Sequence, residues 1–361
     1  MKNMEDLLFH HRFQNISASI WEKIVRIENL KGQWISGAKL SPQILGRLKK
    51  SVLVTSTGAS TRIEGSKLSD EEVEKLMKGL SVQKFSDRDT QEVQGYYELL
   101  HDVFDSWKHI HLTENNIKNL HQQMLKYAEK DQLHRGEYKK KENKVHMVND
   151  VGESIGILFD TTEAFLTPKQ MQELVEWTNE ALSKNTFHPL LILGHFIVEF
   201  LHIHPFEDGN GRISRILTNL LLLQNDFAYM PYVSHEKIIE INKAEYYLAL
   251  RKTQNTLRKN AEEQDITPWL EFFLSMVLEQ SKQAIELLSS ANLEKLLTAK
   301  QLTVWEYIQS VEFASPREIS EKTGIAYATV RQSLEKLLKL KKIERLGQGR
   351  GTVYKVNSII K

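Results

Sequence analysis

The sequence predicts a mainly α-helical protein with a compact C-terminal tail, and three observations carry that prediction. Apolar residues recur three and four apart over most of the chain, the spacing that lines them up on one face of a helix. Only 17 glycines and 7 prolines interrupt 361 residues, few for a protein built of short strands and turns. Strand-like patterning is confined to 144–160 and to a glycine-rich stretch near the C-terminus.

In chain order, amphipathic helices are expected over 17–31, 69–80, 90–107, 113–129 and 168–184. Ser69 and Glu72 frame the second of these as a capping box. In KVHMVNDVGESIGILFD, 144–160, two β-capable runs flank Asn149, Asp150, Gly152 and Glu153, which suits a hairpin with a glycine-containing turn. The segments 189–203 and 210–225 are apolar enough for buried helices, and further helices are expected over 236–258 and 267–290. SSANLEKLLTAKQ then links the long helical region to a tail over 298–361. Within the tail, Ser315 and Pro316 start one helix that Gly324 ends, AYATVRQSLEKLLKL forms the next, and IERLGQGRGTVYKV folds back as two short strands.

Composition narrows the function. A net charge of +1 gives no global field toward nucleic acid or membrane, so any such preference must be local. The absence of cysteine excludes disulfides, thiolate nucleophiles and zinc–thiolate sites. With no signal-peptide core and no run of membrane-spanning length, a cytoplasmic protein without a membrane partner is expected.

The densest chemistry is HPFEDGNGRISR, His204 to Arg215, between the apolar segments PLLILGHFIVEFLHI and ISRILTNLLLLQ. It therefore reads as a loop joining two buried helices. Gly209, Asn210 and Gly211 fall where the second helix begins, where backbone N–H groups lack intrahelical partners and the helix dipole is positive. Glycines let an anion approach that backbone closely, so the loop is a candidate phosphate seat. Arg212 and Arg215, three apart, can both point at the same anion. Asp208 suits a magnesium ion set between it and the phosphates. His204 supplies a side chain able to take a proton near neutral pH. Phosphoryl or nucleotidyl transfer to a hydroxyl follows from these parts.

HPFEDGNGRISR resembles the signature of the Fic (filamentation induced by cAMP) family, His-x-Phe-x-Asp/Glu-Gly-Asn-Gly-Arg-x-x-Arg, at every defining position. The resemblance implies a mainly α Fic helical fold with a β-hairpin flap near 144–160, on which a protein substrate docks by edge-strand pairing. It implies transfer of AMP from ATP, with Mg2+, to a Ser, Thr or Tyr hydroxyl. His204 would be the base, Asp208 the metal ligand, Gly209 to Gly211 the anion hole, Arg212 a phosphate contact, Arg215 the partner of the terminal phosphate and Phe206 the loop's anchor. RGEYK, Arg135 to Lys139, resembles the segment that precedes the flap, with Lys139 where Arg is usual; EYKKKENK at 137–144 otherwise reads as a solvated basic face.

Upstream, ASTRIEGSKLSDEE holds Ser60, Glu64 and Gly65 in the family's inhibitory pattern Ser/Thr-x-x-x-Glu-Gly/Asn. On a helix Ser60 and Glu64 share a face and Gly65 can end it. The resemblance implies that Glu64 pairs with Arg215 in the space the γ-phosphate needs. Three parts are thus expected: a helical region over 1–110 with the inhibitory helix near 57–66, a catalytic core over 111–290, and a tail over 298–361 that resembles a winged helix-turn-helix. The tail's candidate DNA contacts are Tyr327, Thr329, Arg331, Gln332 and Arg350. From Arg331 to Lys355 eight basic residues face two glutamates, a local excess able to meet phosphates. A homodimer is compatible with the resemblance. Removal of AMP by water is the alternative within the enzyme class; a DNA-binding regulator whose core senses nucleotide is the alternative outside it. His195 and His202 read as packed histidines, and His121 has no spacing that compels a metal site.

Overall fold

The computed structural model describes residues 9–14, 16–37, 40, 42–79, 88–148, 154–340, 342–347 and 352–356. The chain divides into two compact units, Met1–Ile285 and Glu286–Lys361. Residues 1–110 and the segment that follows them share the first unit.

That unit opens with α1 (Ala18–Gly37) and α2 (Pro42–Ile63). The capping box of Ser69 and Glu72 starts α3 (Asp70–Met77) as expected. Next come α4 (Arg88–Ser106) and α5 (Glu114–Met124), the latter capped by Thr113. Strands β1 (Lys144–Val148) and β2 (Ser154–Asp160) pair antiparallel with two register irregularities. The expected turn at 149–153 lies outside the described residues. Then follow α6 (Thr167–Lys184), α7 (Pro189–Ile203), α8 (Asn210–Gln224), α9 (His235–Ile241), α10 (Lys243–Leu257) and α11 (Thr267–Leu296), whose last residues, from Glu286, belong to the second unit.

The centre is the α7–α8 pair. Both helices are buried nearly all round, α7 with a mainly apolar surface and α8 with a polar first turn that carries Arg212 and Arg215. The helix expected over 236–258 is broken at Asn242 (φ −106°, ψ 33°) into α9 and α10. Most of α2 escapes its own sequence, because SVLVTSTGASTRI is rich in β-branched and small polar residues without a helical apolar period. Several of its polar side chains point inward, and those of Thr61 and Ser56 find partners there. Thr61 Oγ1 donates to the Thr57 carbonyl at 2.9 Å, and Ser56 Oγ to Ser234 Oγ at 2.8 Å. A buried helix can be polar when each hydroxyl has a partner of this kind.

The second unit holds α12 (Ala299–Gln309), α13 (Pro316–Thr323), α14 (Tyr327–Lys339) and the antiparallel pair β3 (Ile343–Leu346) and β4 (Val353–Val356). Ser315 caps α13 and Gly324, at φ 69°, ends it. Val304, Ile308, Ile319, Val330, Leu334 and Leu337 close its separate core.

Candidate active site

The loop between α7 and α8 is held by its own polar atoms. His204 ends α7 in the left-handed region, at φ 51°, with its N–H on the Phe200 carbonyl at 2.9 Å. A non-glycine residue there costs on the order of 1 kcal/mol and persists only where its surroundings fix it. Phe206 is fully buried. Asn210 clamps its backbone from both sides: Oδ1 accepts the Phe206 N–H at 2.9 Å, and Nδ2 donates to its carbonyl at 2.8 Å. The Asn210 side chain therefore builds the loop, leaving only its backbone N–H for an anion. His121 stacks on Phe206 with ring centroids 3.8 Å apart. Its Nδ1 accepts from the Gly136 N–H at 2.8 Å, so Nε2 carries the proton and donates to the Asp208 carbonyl at 3.0 Å. Burial lowers His121 to about 4, which keeps that tautomer neutral.

Gly209, at φ 78°, precedes the first turn of α8. That backbone favours glycine, and a Cβ there would also strike Met124 Cε. Gly211 is required by proximity rather than by torsion. A Cβ on it would collide with Glu64 Oε1 and come within 3.4 Å of Arg215 Nη1. The Glu64 carboxylate thus lies against the first turn of α8, where an anion is favoured by both free N–H groups and the helix dipole.

Arg215 completes this arrangement. Its Nη2 donates to Glu64 Oε1 at 2.7 Å and to the Ser60 carbonyl at 3.0 Å, and its Nε to Ser60 Oγ at 2.8 Å. Burial alone would lower the guanidinium; Glu64 beside it more than offsets this, and Arg215 stays charged. Ser60 and Glu64, one helical turn apart, grip the same side chain. The turn at Gly65 (φ 104°) then carries the chain away.

Arg212 points elsewhere. It meets Asp208 Oδ2 at 3.0 Å and Glu92 Oε2 at 2.5 Å, because two acids lie on its side of the helix and Glu64 on the other. The expectation that both arginines face one anion is therefore not met in this arrangement. Asp208 also accepts from Arg88 Nη2 at 2.6 Å. Burial would raise its carboxyl, but Arg212, the Gly209 N–H and Arg88 hold it below the usual range. The carboxylate oxygens of Glu92, Asp131 and Asp208 all lie within 4.8 Å of one another. Such an all-oxygen donor set fits a hard divalent cation.

His204 is partly buried, with Nδ1 3.3 Å from the Leu201 carbonyl. Burial and then the Lys139 ammonium lower it to about 4. Lys139 itself is 3% exposed, so the expected solvated basic face excludes it; Lys140 and Lys141 are exposed. The local charge pattern could not reveal this, since the acceptors of Lys139 come from elsewhere in the chain. Among residues the sequence did not single out as part of the site, His121, Asn143, Thr161, Arg88 and Glu92 now stand around the loop; only the RGEYK segment had pointed to Lys139.

Of the tail residues, Tyr327, Arg331 and Gln332 are exposed and Thr329 is half-buried. Arg350 lies outside the described residues. His195 and His202 are packed as expected: His195 meets Arg12, and His202 contacts Gln254.

The core is thus a buried two-helix pair whose connecting loop receives the Glu64 carboxylate at a helix N-terminus, near a histidine and an acid. This chain matches the Fic/DOC family over residues 111–222. It is similar to the protein adenylyltransferase Fic of Drosophila mojavensis, 32% identical over 165 residues, 45% of this chain and 27% of that protein. It is similar also to that of Drosophila melanogaster, 28% identical over 274 residues, 75% of this chain and 50% of that protein. The chain thus spans half or less of the length of these curated relatives. Among solved structures, a Fic family protein from Desulfovibrio desulfuricans G20 superposes with a TM-score of 0.62 at 22% identity, covering 95% of this chain and 97% of that one. Fic-1 from C. elegans superposes at 0.58 and 20% identity, covering 74% and 73%. The fold is the Fic fold.

Proposed function

We propose that this protein is a self-inhibited adenylyltransferase that moves AMP from Mg-ATP to a Ser, Thr or Tyr hydroxyl of a target protein or of itself. The observation that carries the reading is the Glu64 carboxylate, seated against Gly211 at the start of α8 and paired with Arg215. Its oxygens stand in for those of a terminal phosphate, the group for which a charged arginine at a helix N-terminus is suited. The names of the curated relatives support the same chemistry.

In this reading neutral His204 accepts the proton of the target hydroxyl as its oxygen bonds to the α-phosphorus. The bond from that phosphorus to the bridging oxygen breaks and pyrophosphate leaves. Backbone N–H groups of Gly209 to Gly211 face the charge that develops on the phosphate oxygens. Arg215 holds the terminal phosphate once Glu64 has left. Asp208, flanked by Glu92 and Asp131, would hold Mg2+, which when bound neutralises charge on the phosphates. The hairpin is the proposed docking edge for the protein target. For Glu286–Lys361 we propose a winged helix that meets DNA through Tyr327, Thr329, Arg331 and Gln332. A cytoplasmic setting belongs to the same reading and is consistent with a chain without cysteine.

The test is the fate of label from ATP with the Glu64→Gly protein. Label on the α-phosphate is expected to become protein-bound and label on the γ-phosphate to stay free, with the α-label incorporation lost in Glu64→Gly/His204→Ala. Retention of γ-label would mean phosphoryl transfer and would overturn the reading.

A further inference from the structure

Lys139 has the donors of an ammonium and no solvent to spend them on. Its Nζ donates to the Ile203 carbonyl, to Asn143 Oδ1 and to Thr161 Oγ1, each at 2.9 Å. All three N–H donors of the group are thereby used. Its backbone N–H adds a fourth tie, to the Pro205 carbonyl at 2.8 Å. The partners fall in two places. Ile203 and Pro205 are the residues on either side of His204. Asn143 immediately precedes β1 and Thr161 immediately follows β2.

The two feet of the hairpin are joined through the same knot. Thr161 Oγ1 lies 2.6 Å from Asn143 Oδ1, and Asn143 Nδ2 donates to the Phe206 carbonyl at 2.9 Å. Thr162 N–H reaches the His202 carbonyl at 3.3 Å. The Ile203 carbonyl is one of the last of α7, without an intrahelical partner and at the negative end of the dipole. A buried cation is the partner that both features favour.

We infer that Lys139 is a positioning residue for His204: fixed on the carbonyl before it and on both feet of the hairpin, its ammonium holds the strained backbone that carries the ring and keeps a positive charge beside it. The inference rests on the adenylyltransferase reading, in which an uncharged His204 is the base. Charged groups on the other sides pull the opposite way, since Glu64 and Asp208 favour the imidazolium. Burial and Lys139 prevail over them. Lys139 in turn is lowered by burial to about 8, with Glu142 and Glu163 acting to keep its proton. It therefore stays charged over the range in which His204 must be neutral.

The experiment is a ring titration by NMR of the full chain, with His204 assigned by its loss in His204→Ala. Wild type is compared with Lys139→Gln, which keeps a donor but no charge, and Lys139→Arg, which keeps both. In wild type the His204 midpoint should lie well below the ordinary histidine value. In Lys139→Gln it should rise by roughly half a unit or more, and in Lys139→Arg it should stay low. The acid limb of the AMP-transfer rate should move with it. A wild-type midpoint near 6.5, or a folded Lys139→Gln protein with an unmoved midpoint, would overturn the inference. The wild-type arm decides even if Lys139→Gln does not fold. Absence of AMP transfer in every form would count against the transferase reading alone, because the ring titration does not depend on it.

Discussion

His204 and Asn210 illustrate how one loop separates chemistry from support. His204→Ala in the Glu64→Gly protein should reduce AMP incorporation at least about a hundredfold, the order expected on loss of a general base, while leaving the melting temperature nearly unchanged. Asn210→Ala should do something different. It strips the Phe206 N–H and carbonyl of their side-chain partner and should cost about 1–3 kcal/mol of stability, measured by urea unfolding. HPFEDGNGRISR was legible in the sequence because its residue types and their spacing fall within twelve residues between two apolar segments. Lys139 was not legible in the same way. Its acceptor at Ile203 is 64 residues distant, and only the folded chain brings an ammonium under that carbonyl. The opposite aims of Arg212 and Arg215 were hidden for a similar reason, since Glu92 and Glu64 lie on different elements.

The inhibitory turn belongs to a larger element, and its stability is set beyond Glu64. Arg62, two residues earlier, meets Glu240 of α9 through Nε at 2.5 Å and Nη2 at 3.2 Å. It also meets Asp70 at the start of α3 at 2.8 Å and donates to the Leu68 carbonyl at 2.8 Å. Two neighbouring elements therefore hold the end of α2 against α8. Glu240→Gln should weaken that hold without touching Arg215 and should raise basal AMP incorporation severalfold, read as initial rate against wild type. An unchanged rate would place control of the turn in Ser60 and Arg215 alone. The pattern Ser-x-x-x-Glu-Gly identified this turn, but the 22-residue length of α2 did not follow from it. Its C-terminal half presents the hydroxyls of Ser56, Thr57, Ser60 and Thr61 to the interior, and a reading based on apolar period sees no buried face there. The hairpin was visible from its two β-capable runs, and the break at Asn242 was not, because apolar periodicity continues across it.

For the molecule as a whole, buried histidines set a pH window. His121, His204 and His235 are each lowered by burial to about 4, and His195 to about 3. Unfolded, each would titrate near 6.5. Between these limits the unfolded chain binds more protons, so stability is fully present above about 6.5 and is lost as pH falls toward 4. Thermal melts should show Tm falling steeply across that interval, and a flat Tm would mean that these rings are solvated. The second unit carries its own core and its own expectation. Arg331→Ala should weaken binding of duplex DNA and reduce its salt dependence by about one counterion, read by titration at several salt concentrations. The second unit begins at Glu286, whereas the sequence reading started the tail at 298, and no local signal set the region before 111 inside the same compact unit as the loop at 204–215. The central claim is that Glu64 occupies the seat of a terminal phosphate. It is tested most directly by intact-mass kinetics of wild type and Glu64→Gly in Mg-ATP. The account predicts slow or undetectable gain of one AMP in wild type and at least a tenfold faster gain in the variant, about 1.4 kcal/mol of barrier; equal rates, with His204-dependent transfer in both, would contradict it.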